Sequence, residues 1–270
     1  MILDEILTLK RRDLEEIKRR FPLQRLRTAV EHMAKADVRS FKRAVANTHR
    51  INLICELKKA SPSQGVLIDD FQPLRIAAIY EAGGAAAVSV LTEPHFFKGR
   101  PSYLRTVRQV TKIPILRKDF IVESYQLYES ALLEADAFLL IASILADDEL
   151  KRLIELGKTL GMDALVEVHS LEDLNKAVHA GAEIIGINNR NLRTLDVDPY
   201  LARQLLPHIP KGIPVIVESG LSKYEEVMAY KSLGVHSFLI GTTLMKSVDI
   251  AGKLAELLGT DQKWVKNDDA

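Results

Sequence analysis

From about residue 51 onward the chain alternates between two hydrophobic rhythms. Short, nearly unbroken runs rich in Val, Ile and Leu recur: INLICEL (51–57), AAVSVL (86–91), IPILRKDF (113–120), AFLLIA (137–142), ALVEV (164–168), EIIGIN (183–188), PVIVESG (214–220) and SFLIG (237–241). Runs of this kind, apolar on both faces, predict strands of a parallel sheet covered by helices. Their starts lie roughly 20 to 36 residues apart, the spacing of βα units. The segments between them carry a helical period. PLRIAAIYEAGG (73–84) sets Ile76, Ala77, Tyr80 and Glu81 at helical spacing and stops at a Gly pair. SLEDLNKAVHAGA (170–182) opens with Ser170 three residues before Asp173, close to a capping box, and closes on Gly181. DDELKRLIELGKTLG (147–161) has acids in its first turn, where the helix dipole favours them. Eight such units predict an α/β fold, a closed (β/α)8 TIM barrel. The alternative, an open doubly wound sheet, lacks its GxGxxG turn after the first strand.

The first fifty residues break this rhythm. Ile2, Leu3, Ile6, Leu7, Leu14, Ile17 and Phe21 share a helical stripe, with Glu15–Arg19 and Glu16–Arg20 as i,i+4 pairs elsewhere on the helix. Pro22 interrupts, and two more helical stretches follow at 23–35 and 41–47. Residues 1–48 are therefore expected to be an N-terminal helical extension packed on the barrel, over one of its mouths. No tether divides the sequence, so residues 1–270 are read as a single domain.

Composition narrows the function. Of 270 residues 47% are apolar and 27% charged, and 37 Lys+Arg against 36 Asp+Glu leave a net charge of +1. Such a balance argues against a general nucleic-acid binder, and the acids interleaved with Arg11, Arg12, Arg19 and Arg20 make those residues a solvated helix face. The one cysteine, Cys55, excludes an intrachain disulfide and disfavours a cysteine-based zinc site; the histidines lack metal-ligand spacing. No apolar run approaches the roughly 20 residues of a membrane span, and MILDEILTLK carries two acids, unlike a signal peptide. No membrane partner and a cytoplasmic location are expected.

The chemistry lies in residues that spoil apolar strands. Because side chains alternate, Glu56 and Lys58 share a face with Ile54, while Cys55 and Leu57 take the other. Lys118 shares a face with Leu116 and Phe120, Glu167 with Leu165, and Glu218 with Ile216 and Gly220. Each charge sits at the C-terminal end of an odd-numbered strand, on the face assigned to the interior. Interior layers draw on alternate strands, so one polar layer can hold Glu56 or Lys58 with Lys118, Glu167 and Glu218; Asn188, ending strand six, would sit one layer away. A structural ion-pair network would use the same residue types, but this placement is where barrel enzymes work. Glycines past strands seven and eight, in ESG (218–220) and IGTTLM (240–245), with a short helix beginning near Thr242, suit a phosphate. Gly157-Lys158-Thr159 ends like a P-loop but lies inside a helix. Cys55 reads as a buried small hydrophobe, and His169 as a surface or capping residue.

CELKKASPSQG (55–65), SVLTEPHFFKG (89–99), LRKDFIV (116–122), LVEVHS (165–170), IGINNRNLRTL (185–195), VESG (217–220) and FLIGTTLM (238–245) together closely resemble the indole-3-glycerol phosphate synthase family, over nearly the whole chain. The resemblance implies a carboxy-lyase of tryptophan biosynthesis. Its small phosphorylated substrate is 1-(2-carboxyphenylamino)-1-deoxyribulose 5-phosphate; its products are indole-3-glycerol phosphate, carbon dioxide and water. No metal or organic cofactor is implied. Lys118 then resembles the general acid of ring closure and Glu167 the base. Glu56 and Lys58 are alternative carriers of the dehydration protons, while Glu218 and Asn188 orient the lysines and the ribulose hydroxyls. Burial or a second lysine is expected to lower the donor's pKa toward neutrality. Ser219, Gly220, Gly241 and Thr242 match the phosphate turns, with Lys58 and Arg190 as charge partners. Pro62, Phe97, Phe120 and Leu139 resemble the slot for the anthranilate ring, and SPSQG a mobile lid bringing Ser61 and Ser63 to the site. Gln64 departs from the family's frequent lysine without consequence for the charged positions. A monomer or weak homodimer is expected. Two other readings remain: a phosphoribosylanthranilate isomerase-like barrel, whose Cys/Asp pair is absent because Cys55 alternates away from Glu56, and a non-catalytic phosphate-sugar-binding barrel.

Overall fold

The computed structural model describes residues 1–33 and 39–260. Eight parallel strands close on one another: β1 (Asn52–Leu57), β2 (Ala87–Leu91), β3 (Ile115–Lys118), β4 (Ala137–Ile141), β5 (Asp163–Val168), β6 (Ile185–Asn188), β7 (Val215–Glu218) and β8 (Ser237–Ile240). Each pairs with its neighbours in sequence, and β8 returns to β1, as when Leu239 lies opposite Ile54. All eight predicted strands are present. A fold of alternating strands and helices, each strand beside the next, is the (β/α)8 barrel.

Alternation sorts the side chains into two cores. Leu53, Cys55 and Leu57 point outward into the apolar layer beneath the helices. Ile54, Ala87, Leu116, Leu139, Leu165, Ile216 and Leu239 fill the barrel itself. The predicted helices appear as α4 (Pro73–Ala82), α7 (Asp147–Thr159) and α8 (Leu171–His179). Ser170 caps α8 by accepting from the Asp173 N–H; the Asp173 carboxylate in turn accepts from the His169 N–H, one residue beyond a regular capping box. Lys158 lies within α7 and bonds Glu183, which removes the P-loop resemblance.

The N-terminal helices are α1 (Ile2–Arg20), α2 (Leu23–Glu31) and α3 (Phe41–Val45); the Lys35 end of the second predicted stretch lies outside the described residues. They reach both ends of the barrel, not one mouth. α1 lies at the C-terminal end, where Leu3 and Ile6 join the interior core and Lys10 bonds Asp119 just past β3. α2 packs beside α6 (Ser124–Leu132), with Leu26 against Tyr125. α3 closes the N-terminal end: Phe41 and Val45 are buried in the interior core, Asp163 at the head of β5 accepts from the Lys42 N–H, and Ser237 at the head of β8 donates to the Val45 carbonyl.

Three details of α1 differ from the sequence reading. Ile17 and Phe21 have exposed side chains, the last turn being tied down by polar contacts instead: Lys18 bonds Glu123 and the Phe21 carbonyl accepts from the Tyr125 hydroxyl. Lys10 takes a place on the buried stripe instead. Glu15 pairs with Lys18 rather than Arg19, whose guanidinium bonds the Glu15 carbonyl; Glu16–Arg20 forms as expected.

Candidate active site

Every charged residue singled out along the odd strands meets at the C-terminal mouth. Lys118 at the end of β3 bonds Glu218 at the end of β7 and lies 3.2 Å from Glu167 Oε2 on β5. All three are walled by the barrel interior. Lys58 pairs with Glu56 at 2.6 Å on the same side of β1. Asn188, one inward-facing position beyond Gly186, the partner of Glu167 in the sheet, lines the same hollow and accepts from the Ser219 hydroxyl at 2.8 Å. These groups line one hollow of about 1090 Å³, part of it open to solvent.

The electrostatics depart from expectation in one respect. Burial by itself would push the Lys118 ammonium pKa down, but Glu218, Glu167 and Glu56 outweigh it and hold the group above its usual value. The expected drop toward neutrality does not occur, and the second lysine pairs with Glu56. Burial also works against ionising Glu167, yet Lys118, His169 and Asn188 keep it below the ordinary carboxylate range. Glu218 gets the opposite result. Burial raises it, Lys118 only partly offsets that, and the nearby Glu167 charge adds to the rise, so it reaches about 7.

Two glycines make room for these carboxylates. A Cβ on Gly186 within β6 would stand 2.6 Å from Glu218 Oε1, and one on Gly241 would stand 2.2 Å from Glu56 Oε2. Gly241, singled out for phosphate, thus also seats Glu56 while serving as N-cap of α11 (Thr242–Met245).

The remaining wall divides by chemistry. Phe97, Phe120, Leu139 and Pro62 line an apolar side, the two rings 6.3 Å apart and tilted. Ser219, Gly220, Gly241 and Thr242 line another part of the hollow. Ser219 adopts left-handed backbone (φ 66), unusual for a residue with a side chain, and is held there by its bond to Asn188 and by the Asn189 amide on its carbonyl. Arg190 faces the hollow, but its guanidinium also donates to the Leu195 carbonyl, so part of it ties its own loop. Ser61 and Ser63 line the hollow from a small hairpin in which Ala60–Ser61 pairs with Gly65–Val66.

Sequence reasoning missed several contributors. Ile2 and Ile6 of α1 form part of the wall, and Leu192 joins them. Glu93 accepts from the His95, Phe96 and Phe97 N–H groups and so shapes the loop that carries Phe97. His169 is neither a surface residue nor a cap: its Nε2 lies 3.3 Å from Glu167 Oε1. The signal for Lys10 was there, since it falls between Ile6 and Leu14 on the apolar stripe. Cys55 is buried under the helices with its thiol pKa pushed up by desolvation, so an isomerase-type Cys acid is absent from this mouth.

The family profile described as indole-3-glycerol phosphate synthase matches residues 3–257. The chain belongs to the indole-3-glycerol phosphate synthase family. It is 46% identical to the indole-3-glycerol phosphate synthase of Campylobacter jejuni, across 96% of this chain and all of that one. It is 43% identical to the indole-3-glycerol phosphate synthase of Thermoanaerobacter pseudethanolicus, across 96% and 97% of the two chains. Among solved structures, KGPDC from Streptococcus mutans superposes with a TM-score of 0.61 at 14% identity, over 77% of this chain and 96% of that one, a likeness of fold alone. As a member of the indole-3-glycerol phosphate synthase family, the chain is a carboxy-lyase of tryptophan biosynthesis acting on a small phosphorylated substrate. Among the described residues no helix is long and apolar enough to cross a membrane.

Proposed function

We propose that ring closure, decarboxylation and dehydration are divided among the clustered side chains as follows. The substrate's anthranilate ring lies between Phe97, Phe120, Leu139 and Pro62, where flat apolar surface suits it. Its phosphate lies at Ser219, Gly220, Gly241 and Thr242, with Lys58 and Arg190 supplying charge and Ser61 and Ser63 closing over from the hairpin. Lys118, held charged by its carboxylate neighbours, gives its proton to the ketone oxygen as the ring carbon attacks. Loss of carbon dioxide then restores the aromatic ring. Dehydration needs a donor for the departing hydroxyl and an acceptor for a carbon-bound proton. Glu167, kept ionised, is the acceptor, and the Lys58–Glu56 pair serves the hydroxyl. Glu218 and Asn188 hold Lys118 and the ribulose hydroxyls in place.

The carrying observation is the contact of Lys118 with two buried carboxylates at the end of the barrel where reactions occur. Lys118→Ala is expected to lower single-turnover indole formation by on the order of 10²- to 10⁴-fold. Indole formation at the unaltered rate would remove Lys118 from the role of acid. We further propose that residues 1–270 act as a single domain, without metal or organic cofactor, in the cytoplasm, as a monomer or weak homodimer.

A further inference from the structure

The roles given to Lys118 and Glu167 leave the base exposed for part of the cycle. Once Lys118 has passed its proton to the ketone oxygen it is a neutral amine. From then until dehydration, Glu167 is a buried carboxylate without its ammonium partner, close to Glu218. Burial and that neighbour both draw a proton onto it, and a protonated Glu167 cannot accept one from carbon. Something other than Lys118 has to keep it ionised.

Glu167 has two faces. Oε2 lies 3.2 Å from Lys118, and Oε1 lies 3.3 Å from His169 Nε2. Oε1 and Nε2 are both buried, and neither completes a hydrogen bond in this arrangement. A proton on Nε2 turned onto Oε1 would satisfy the two together. The neighbouring strands offer Oε1 no side-chain donor at this level: β4 sets Ile141 beside Glu167, and β6 sets Gly186 on its other side. His169 does not line the hollow, so it touches the base and not the substrate space. Its backbone is fixed by the N–H bond to Asp173 at 3.0 Å. The charged groups facing its ring are Glu167 on β5, Asp173 on α8 and Glu218 on β7, all acidic. Burial lowers the imidazole pKa, but these carboxylates outweigh it and favour the imidazolium.

We propose that His169 is the positioning residue of the base, its Nε2–H holding Glu167 Oε1 so that the carboxylate stays ionised, with Oε2 turned to the substrate, while Lys118 carries no charge. His169 gives up no proton in the cycle. It acts through Glu167, and the inference rests on the acid and base roles proposed for Lys118 and Glu167.

The test follows substrate loss and indole appearance separately in a single turnover. Ring closure comes before the exposed interval, so in His169→Gln, which keeps a donor but no charge, substrate loss should stay near the rate of the unaltered chain. Dehydration should lag behind it, and the decarboxylated alcohol should accumulate. Without the cation Glu167 takes a proton more readily, so the lag is deepest in acid and closes as pH rises. Each unit of upward shift removes about tenfold of the ionised base below the shifted value. Intact substrate loss also shows that the variant folds. Indole keeping pace with substrate loss at every pH, or both phases slowing equally at every pH, would overturn the proposal. A second measurement needs no change at position 169: with nitrogen-labelled histidine, one ring should be imidazolium near neutral pH and lose that proton in Glu167→Gln. Histidine signals that ignore Glu167→Gln would overturn the pairing. If Glu167→Gln keeps its full dehydration rate, the base assignment itself fails, an outcome separable from any result at position 169.

Discussion

One ammonium facing two buried carboxylates sets the behaviour of this site at the level of single residues. Like charges this close do not both ionise freely, and Glu218 gives way, its pKa pushed up to about 7 while Glu167 stays ionised. The sign for catalysis follows. Below that value Glu218 carries a proton, and Lys118 is held by one strong anionic partner on this side. As pH rises through it, a second full negative charge settles beside Lys118, and proton donation becomes harder. Single-turnover ring closure should therefore slow as pH climbs through about 7. Glu218→Gln is expected to flatten that decline. A pH profile identical to that of the unaltered chain would assign the ionisation to another group. The residue types of this cluster were legible in the sequence, because strand alternation told which side chains shared a face. Their partners were not: whether Lys58 would crowd Lys118 or pair with Glu56 depends on angles around the barrel that alternation along one strand does not contain.

At the level of elements, strand ends and their glycines decide how the carboxylates are seated. Gly186 and Gly241 have ordinary backbone, without a positive φ, so their lack of a side chain answers a need for space. Gly241→Ala must displace Glu56, and with it Lys58. It should lower kcat by on the order of 10²-fold, the scale of a misplacement of about 1 Å, with the urea midpoint as control for folding. Activity close to that of the unaltered chain would show that Glu56 tolerates the shift. Strand existence was plain from the apolar runs, and observed boundaries moved by only a residue or two. The hairpin at Ala60–Ser61 and Gly65–Val66 was not foreseen, since two-residue strands carry no periodicity.

At the scale of the whole molecule, the N-terminal extension belongs to the site as well as to the fold. α1 contributes Ile2 and Ile6 to the hollow and is fastened by Lys10 to Asp119, a buried pair at 2.7 Å that continues through Arg117 to Glu129. His95 bonding Asp13 adds a second link, between α1 and the loop bearing Phe97. Lys10→Met would leave Asp119 with one cation fewer in the interior, and is expected to destabilise the chain by roughly 3–5 kcal/mol in urea unfolding near neutral pH. Burial would raise the Asp119 pKa, but Lys10 and Arg117 carry it well below the ordinary range. The stability it supplies is complete above the ordinary aspartate value and drains away as pH falls toward the depressed one. That acid-side loss should be smaller in Lys10→Met, where less of the depression survives. Equal midpoints across the pH series would show that the pair contributes nothing.

The sequence by itself determined the eight strands, the sidedness of their polar residues and the chemistry those residues can perform, because alternation and helical period are local properties of the chain. Only the tertiary structure decided which charges pair, that Asn188 shares the cluster, that His169 stands behind Glu167, and that the extension spans both ends of the barrel. Most of those facts depend on contacts between residues far apart in the chain, 100 positions from Lys118 to Glu218 and 192 from Val45 to Ser237, and such contacts exist only once the sheet has closed.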